Sequence, residues 1–315
     1  MMRGLALALA FLLAFPVPAR AEKIDRMRRT VVMTAFPPEW DALVRSVQRP
    51  RQYRLNGLLL LTGTMEGKPV LLMQSGVSMV NAAMNTQLVL DRFEVRRIIF
   101  SGIAGGVDPS LSIGDVVVPE DWAPYLEVAF ARHTDKGWVP PETIDANAPA
   151  NFGMMFPRGV RVGNAIEPMR RHYRFPVDPA LLALARRVAT GVTLHRCVGE
   201  GEMRPASISA TPAPGCLMQE PKVVVGGTGV SAGVFADNAE FRNYLFSAWK
   251  ATVLDMESAA VSQVAYANGM PVIIFRSLSD LAGGDAGENQ MSTFMALSSV
   301  NSADVVRTFI AALPN

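Results

Sequence analysis

Short apolar runs rich in β-branched residues alternate with longer segments of helical period along nearly the whole chain. This alternation restricts the fold more than any other feature. Val31-Val32-Met33-Thr34-Ala35 reads as a buried strand, broken by Phe36-Pro37-Pro38, and Glu39-Trp40-Asp41 opens a helix. Leu58 to Thr62 and Val70 to Met73 bracket Glu66-Gly67-Lys68, as in a hairpin. After Ser75-Gly76-Val77-Ser78, the apolar positions Val80, Ala83, Met84, Leu88 and Val89 fit a helix from about Met79 to Arg92. Strands follow at Arg97 to Phe100, running into Ser101-Gly102-Ile103-Ala104-Gly105-Gly106, and from Gly114 to Pro119. Helices are expected at Pro179 to Ala189, Asn238 to Trp249, Ser258 to Asn268 and Met291 to Leu313, with Gly269 as a cap. Further strands are expected at Val223 to Gly227, at Val253 to Glu257, and at Pro271 to Phe275 before Arg276-Ser277-Leu278-Ser279-Asp280. Glu120 to about Phe175 has no clear period and receives no assignment. Strands feeding helices in this order imply an α/β fold in a single domain, with a mixed, mainly parallel central sheet flanked by helices.

The N-terminus sets the expected compartment. Arg3 precedes an unbroken apolar run from Leu5 to Phe15, and Ala19-Arg20-Ala21 supplies small residues at a cleavage site. That is the layout of a secretory signal peptide over residues 1–21, with an uncleaved anchor as the alternative. Residues 22–315 would form the mature domain, secreted or periplasmic and free of the membrane. Basic and acidic side chains nearly balance, at 30 to 28, so no nucleic-acid surface is implied. The three histidines, His133, His172 and His195, are far apart, which argues against a His/Cys metal site. Cys197 and Cys216 flank a Pro-rich stretch, and in an oxidising compartment such a pair invites a disulfide, with two unpaired thiols as the alternative.

In open α/β sheets ligands sit beyond the carboxyl ends of strands. Glu39, Glu257, Arg276 and Asp280 all follow strand-like runs, and their convergence would make one site. Taken singly, each carboxylate also reads as a solvated loop residue or a helix cap.

Ser101-Gly102-Ile103-Ala104-Gly105-Gly106 with Ile113-Gly114-Asp115-Val116-Val117, then Asp255-Met256-Glu257-Ser258-Ala259-Ala260, then Phe275-Arg276-Ser277-Leu278-Ser279-Asp280, resemble the three signatures of the nucleoside phosphorylase and methylthioadenosine/S-adenosylhomocysteine nucleosidase superfamily. The resemblance covers essentially the whole mature chain. Gly229-Val230-Ser231-Ala232, Phe235-Ala236-Asp237-Asn238 and the cysteine pair look most like its plant bark-storage-protein branch and bacterial relatives. The resemblance implies a nucleoside phosphorylase-like fold and cleavage of the N-glycosidic bond of a purine nucleoside. It places Glu39 where water is activated, Asp280 where an acid serves purine N7, and Arg276 near the attacking water. Glu257 would bind the ribose hydroxyls, with Met256 against the sugar. Val234 and Phe235 would hold the base, and Ile103, Ala104, Gly105 and Ser279 belong to the same substrate-binding set. No cofactor and no metal is implied, and a homo-oligomer, dimer or trimer, is expected.

Two alternatives remain beside a nucleosidase acting on 5′-methylthioadenosine or S-adenosylhomocysteine. A phosphorylase would need cations beside the glycine-rich turn, where Phe100 or Ser101 and the turn from Phe36 to Trp40 offer none, although Arg45 or Arg96 could swing in. A storage or nucleoside-binding protein would be expected to carry a damaged site. Met154, Met155, Phe156 and Phe294 are candidate apolar lining for the 5′ side, with core packing as the competing use.

Overall fold

The first strand, β1 (Asp25–Thr34), ends in consecutive buried residues from Thr30 to Thr34. Such a run, without alternation, is what a strand covered on both faces requires. The computed structural model describes residues 22–198 and 215–314. The expected leader lies outside the described residues, as do Pro205, Pro212 and Pro214 of the cysteine-flanked stretch. After β1 come α1 (Pro37–Val44), β2 (Gln48–Leu55), β3 (Leu58–Met65), β4 (Lys68–Gln74), α2 (Met79–Arg92) and β5 (Phe93–Gly106). The excursion that had no period contains short strands: β6 (Val116–Val118), β7 (Asp121–Pro124), β8 (Val128–Phe130), β9 (Arg132–Thr134), β10 (Gly137–Val139), β11 (Met155–Pro157), β12 (Val160–Val162), β13 (Arg170–His172) and β14 (Phe175–Pro176). Most are too short to show any pattern. The chain then runs through α3 (Pro179–Val188), β15 (Val223–Val225), β16 (Thr228–Ser231), α4 (Ala239–Tyr244), β17 (Ala251–Asp255), α5 (Ser258–Ala267), β18 (Val272–Asp280) and α6 (Met291–Ala311). The helix expected at Asn238 to Trp249 is divided, because α4 gives way to a π-helical turn over Leu245–Trp249.

The mixed, mainly parallel sheet is present. β5 is its axis: its first half lies parallel to β1, with Val31 opposite Ile98 and Met33 opposite Phe100. Its second half lies parallel to β18, with Arg276 opposite Gly102, and its last residues meet β17 antiparallel, with Leu254 opposite Gly105. The strand therefore continues through the glycine-rich segment instead of stopping before it. In the same way β18 runs to Asp280, so Arg276 to Asp280 lie inside the strand, not past its end.

β2 was not legible in the sequence. Its residues Gln48–Leu55 are mostly exposed and Arg-rich, because among the described residues it is an edge of the sheet, paired there only with β3 through the Asn56-Gly57 turn. Arginine and Pro50 there blunt an edge open to further pairing, at the expense of any hydrophobic alternation. Cys197 and Cys216 are joined in a disulfide. Backbone bonds on either side, Val198 N–H to Gly215 and Leu217 N–H to Arg196, join the two arms of the loop. Closing a loop of this length is worth about 3 kcal/mol in the chain-entropy picture.

Candidate active site

Four strands deliver their polar residues to one place. β1 leads through Ala35 and Phe36 into α1, which carries Glu39; β17 ends at Asp255, two residues before Glu257; β18 supplies Arg276, Ser279 and Asp280; β5 supplies Ile103 to Gly105. Glu39 is buried, although it lies in the first turn of its helix. Its carboxylate accepts the N–H groups of Ala35 at 2.5 Å and Ile103 at 2.8 Å. These bonds tie the start of α1 to the axis of the sheet.

Below the carboxylates lies Arg276, fully buried. Its Nε is 2.7 Å from Asp255 Oδ2, and its Nη1 and Nη2 are each 3.6 Å from Glu39 Oε1 and Glu257 Oε2. Ser258 Oγ accepts from Nε at 3.1 Å and from Nη2 at 2.9 Å, and the guanidinium lies 4.1 Å over the Phe100 ring. An ion this deep would lose several kcal/mol of hydration and persists only with close partners. Gly102 is what admits it: a Cβ there would strike Arg276 Nη1 and Glu39 Oε1. This glycine, inside β5, thus serves close approach of a buried ion pair, rather than of a ligand.

One guanidinium faces three carboxylates, so the cluster holds surplus negative charge. Burial, with Asp255 adding to it, pushes Glu257 up to about 7, against the pull of Arg276 and of the Ser78 N–H, which donates to Glu257 Oε1 at 2.8 Å. Burial also raises Glu39, again opposed by Arg276. Asp280 is raised by burial too, although Ala282 N–H and Ser279 Oγ donate to it, each at 2.9 Å. Arg276 itself stays firmly charged, because the attraction of the three carboxylates outweighs its burial.

These groups border a cavity of about 230 Å³. Glu39, Glu257, Met256, Ile103, Ala104, Gly105, Val234, Phe235, Ser279 and Asp280 line it. Arg276 does not; it lies behind the wall, where it can hold carboxylates but not water in the cavity. Phe36, Val77, Asp255 and Met291 also line the cavity and were missed. Val77 could have been found, since it follows the end of β4, whereas nothing in the local sequence singles out Met291. Of the apolar residues suggested for the 5′ side, none lines the cavity. Met155 and Phe156 pair with β8 in the excursion, Met154 is exposed, and Phe294 faces a separate depression beside Cys216 and Leu217. Among the described residues no cluster of three or more His, Cys, Asp or Glu is disposed to hold a metal ion.

Ser78 holds its N–H on Glu257 with φ of 82° and ψ of 157°, a region populated almost only by glycine. Ser78→Gly should therefore raise stability by about 1 kcal/mol while keeping the bond to Glu257. A denaturant midpoint at or below that of the native protein would show that the backbone here is unstrained.

The family model described as "Phosphorylase superfamily" matches residues 29–311. The chain belongs to this superfamily. A phosphorylase-superfamily relative named 5′-methylthioadenosine/S-adenosylhomocysteine nucleosidase, from Mycobacterium bovis, is 28% identical over 256 residues, 81% of this chain and 87% of its own. Among solved structures, the nucleosidase of the same name from Neisseria meningitidis, in complex with methylthio-immucillin-A, superposes with a TM-score of 0.65 at 21% identity, covering 91% of this chain and all of its own. Futalosine hydrolase of Helicobacter pylori superposes with a TM-score of 0.64 at 20% identity, covering 91% of this chain and 98% of its own. At such identities these two are likenesses of fold, and the phosphorylase-superfamily fold is what they share with the chain.

Proposed function

We propose that this chain is a purine nucleosidase that hydrolyses the N-glycosidic bond of 5′-methylthioadenosine or S-adenosylhomocysteine. The observation that carries the reading is a cavity bordered by Glu39, Glu257 and Asp280 and lined, among the described residues, by no Lys or Arg. Phosphate would need a free cation there. Arg276 is already taken up by three carboxylates, and Arg96 lies with Arg28 and Arg97 in a depression near the start of β5, away from its glycine-rich end. Water needs only a base. The nucleosidase name of the Mycobacterium bovis relative supports the same choice.

In this reading Glu39 takes a proton from water as the water oxygen bonds to C1′. The C1′–N9 bond breaks, its electron pair passes to the purine, and Asp280 delivers a proton at N7. Burial raises both carboxyl groups, which makes Glu39 a stronger base and favours the protonated form of Asp280. Glu257 accepts the 2′- and 3′-hydroxyls. The sugar becomes cationic in the transition state, and the surplus negative charge of the cluster, unfavourable in the empty site, then becomes stabilising.

Base release from a panel of purine nucleosides, with and without phosphate, tests the reading. Release in phosphate-free buffer with the unphosphorylated sugar as co-product, 5-methylthioribose from 5′-methylthioadenosine, is expected; release only with phosphate would overturn it. Glu257→Gln should lower kcat/KM about 10- to 100-fold through the lost charged hydrogen bonds. 2′-Deoxynucleosides should already be poor substrates of the native protein, and equal turnover of both sugar series would remove Glu257 from the ribose.

The same reading takes residues 1–21 as a cleaved leader, residues 22–315 as one nucleosidase domain, and the location as secreted or periplasmic. No helix among the described residues is long and apolar enough to cross a membrane. Exposed Val77, Val80 and Met84, in and just before α2, support self-association as a dimer or trimer.

A further inference from the structure

Asp255 is buried two residues before Glu257, and it engages more partners than either carboxylate assigned to water or ribose. Oδ1 accepts from Ser231 Oγ at 2.5 Å and from the N–H groups of Glu257 at 3.2 Å and Ser258 at 3.1 Å. Oδ2 accepts from Ser258 Oγ and pairs with Arg276 Nε at 2.7 Å. Ser231 Oγ also accepts the N–H of Ala259, which ties β16 to the start of α5. Arg276 is thus held by its nearest contacts, Asp255 and Ser258, with its two terminal nitrogens equally far, at 3.6 Å, from Glu39 and Glu257.

We propose that Asp255 is a positioning residue for glycosidic cleavage: it pins Arg276 as a counter-ion shared by Glu39 and Glu257, and its own charge sets the pH at which Glu257 becomes able to bind the ribose diol. The inference rests on the nucleosidase reading of the site. A shared guanidinium balances one carboxylate in full and leaves the others partly uncompensated. With Asp255 ionised, Glu257 is harder to ionise, as burial already makes it. The groups facing Glu257 are Asp255 on β17, Arg276 on β18, Glu39 on α1 and the Ser78 N–H before α2. Tyr125, just past β7, faces Asp255 and stays neutral, its hydroxyl raised by burial and by that carboxylate. Removing the Asp255 charge relieves Glu257 of a like charge and frees Arg276 to move toward it. Both effects ease its ionisation.

The test compares the native protein with Asp255→Asn, Asp255→Glu and Ser258→Ala. The acid limb of kcat/KM for 5′-methylthioadenosine, and the pH dependence of adenosine affinity by calorimetry, are recorded for each. In Asp255→Asn both should move to lower pH by about one unit, the scale of a neighbouring like charge. Asp255→Glu restores the charge and should keep the native limb while lowering kcat. Ser258→Ala frees Nη2 to turn to Glu257, so it should shift the limb the same way by less; it decides the matter if Asp255→Asn does not fold. An unmoved limb and unmoved affinity profile in the folded variants would make Asp255 a packing residue only. If the native protein binds adenosine but releases no base, the nucleosidase reading fails while the affinity profiles still decide the role of Asp255. No adenosine binding at any pH overturns both.

Discussion

Asp280→Asn is expected to lower kcat about 10²- to 10⁴-fold, the range for a lost general acid. The purine anion is a poor leaving group, and the N7 proton makes departure possible at neutral pH. Burial raises the Asp280 carboxyl, which favours its protonated form. Asparagine keeps the shape and can still accept from Ala282 N–H, so the fold should survive with a loss of about 1 kcal/mol. It has no proton to give. A purified, folded variant that kept more than about a tenth of the native rate, short of the loss expected for an acid, would remove Asp280 from this role. A 4-nitrophenyl riboside, whose leaving group departs unprotonated, should be spared by the substitution. Equal losses on both substrates would mean that Asp280 does something other than protonate the base.

Glu39→Gln should lower kcat by a comparable factor, about 10²- to 10⁴-fold, with KM little changed, because activation of water is absent from ground-state binding. Stability should fall as well. Glu39 accepts two N–H groups, from Ala35 and Ile103, one on each oxygen, and Arg276 Nη1 lies 3.6 Å from Oε1. Glutamine has a single acceptor oxygen, so its amide NH₂ must face one of those N–H groups. A buried donor left unmatched costs about 1–3 kcal/mol. Steady-state kinetics and a denaturant midpoint on the same preparation separate the two effects. A large loss of affinity for a tight-binding nucleoside analogue at unchanged rate would turn Glu39 into a binding residue.

Only the Asp280 substitution is nearly clean, and the reason is tertiary. Asp280 is held by its own strand and turn, through Ser279 and Ala282. Glu39 is locked into a charge cluster drawn from three other parts of the chain.

The limits of α2 agree with the reading of the sequence at both ends, and β1, β17 and β18 were found, although β1 begins earlier, at Asp25, β17 spans Ala251–Asp255, two residues earlier, and β18 runs on to Asp280. These elements are local: a helix or a covered strand writes its burial into consecutive residues, as Thr30 to Thr34 do. The carboxylates that border the cavity, Glu39, Glu257 and Asp280, were legible for the same reason, because carboxylates at the ends of apolar runs are exceptions to a local pattern. β2 was invisible because an edge strand buries too little to leave an alternation. The role of Arg276 was decided only by the fold. By sequence it follows a strand and is free to reach a ligand, but parallel pairing of β18 with β5 places it opposite Gly102, behind the cavity wall. The same holds for the acid and base properties of Glu39, Glu257 and Asp280. Sequence by itself determines that these side chains are carboxylates. Their displaced titration depends on how completely water is excluded and on which charges lie within a few ångströms, and contacts between residues as distant in sequence as 39, 257 and 276 exist only once the sheet has closed around them.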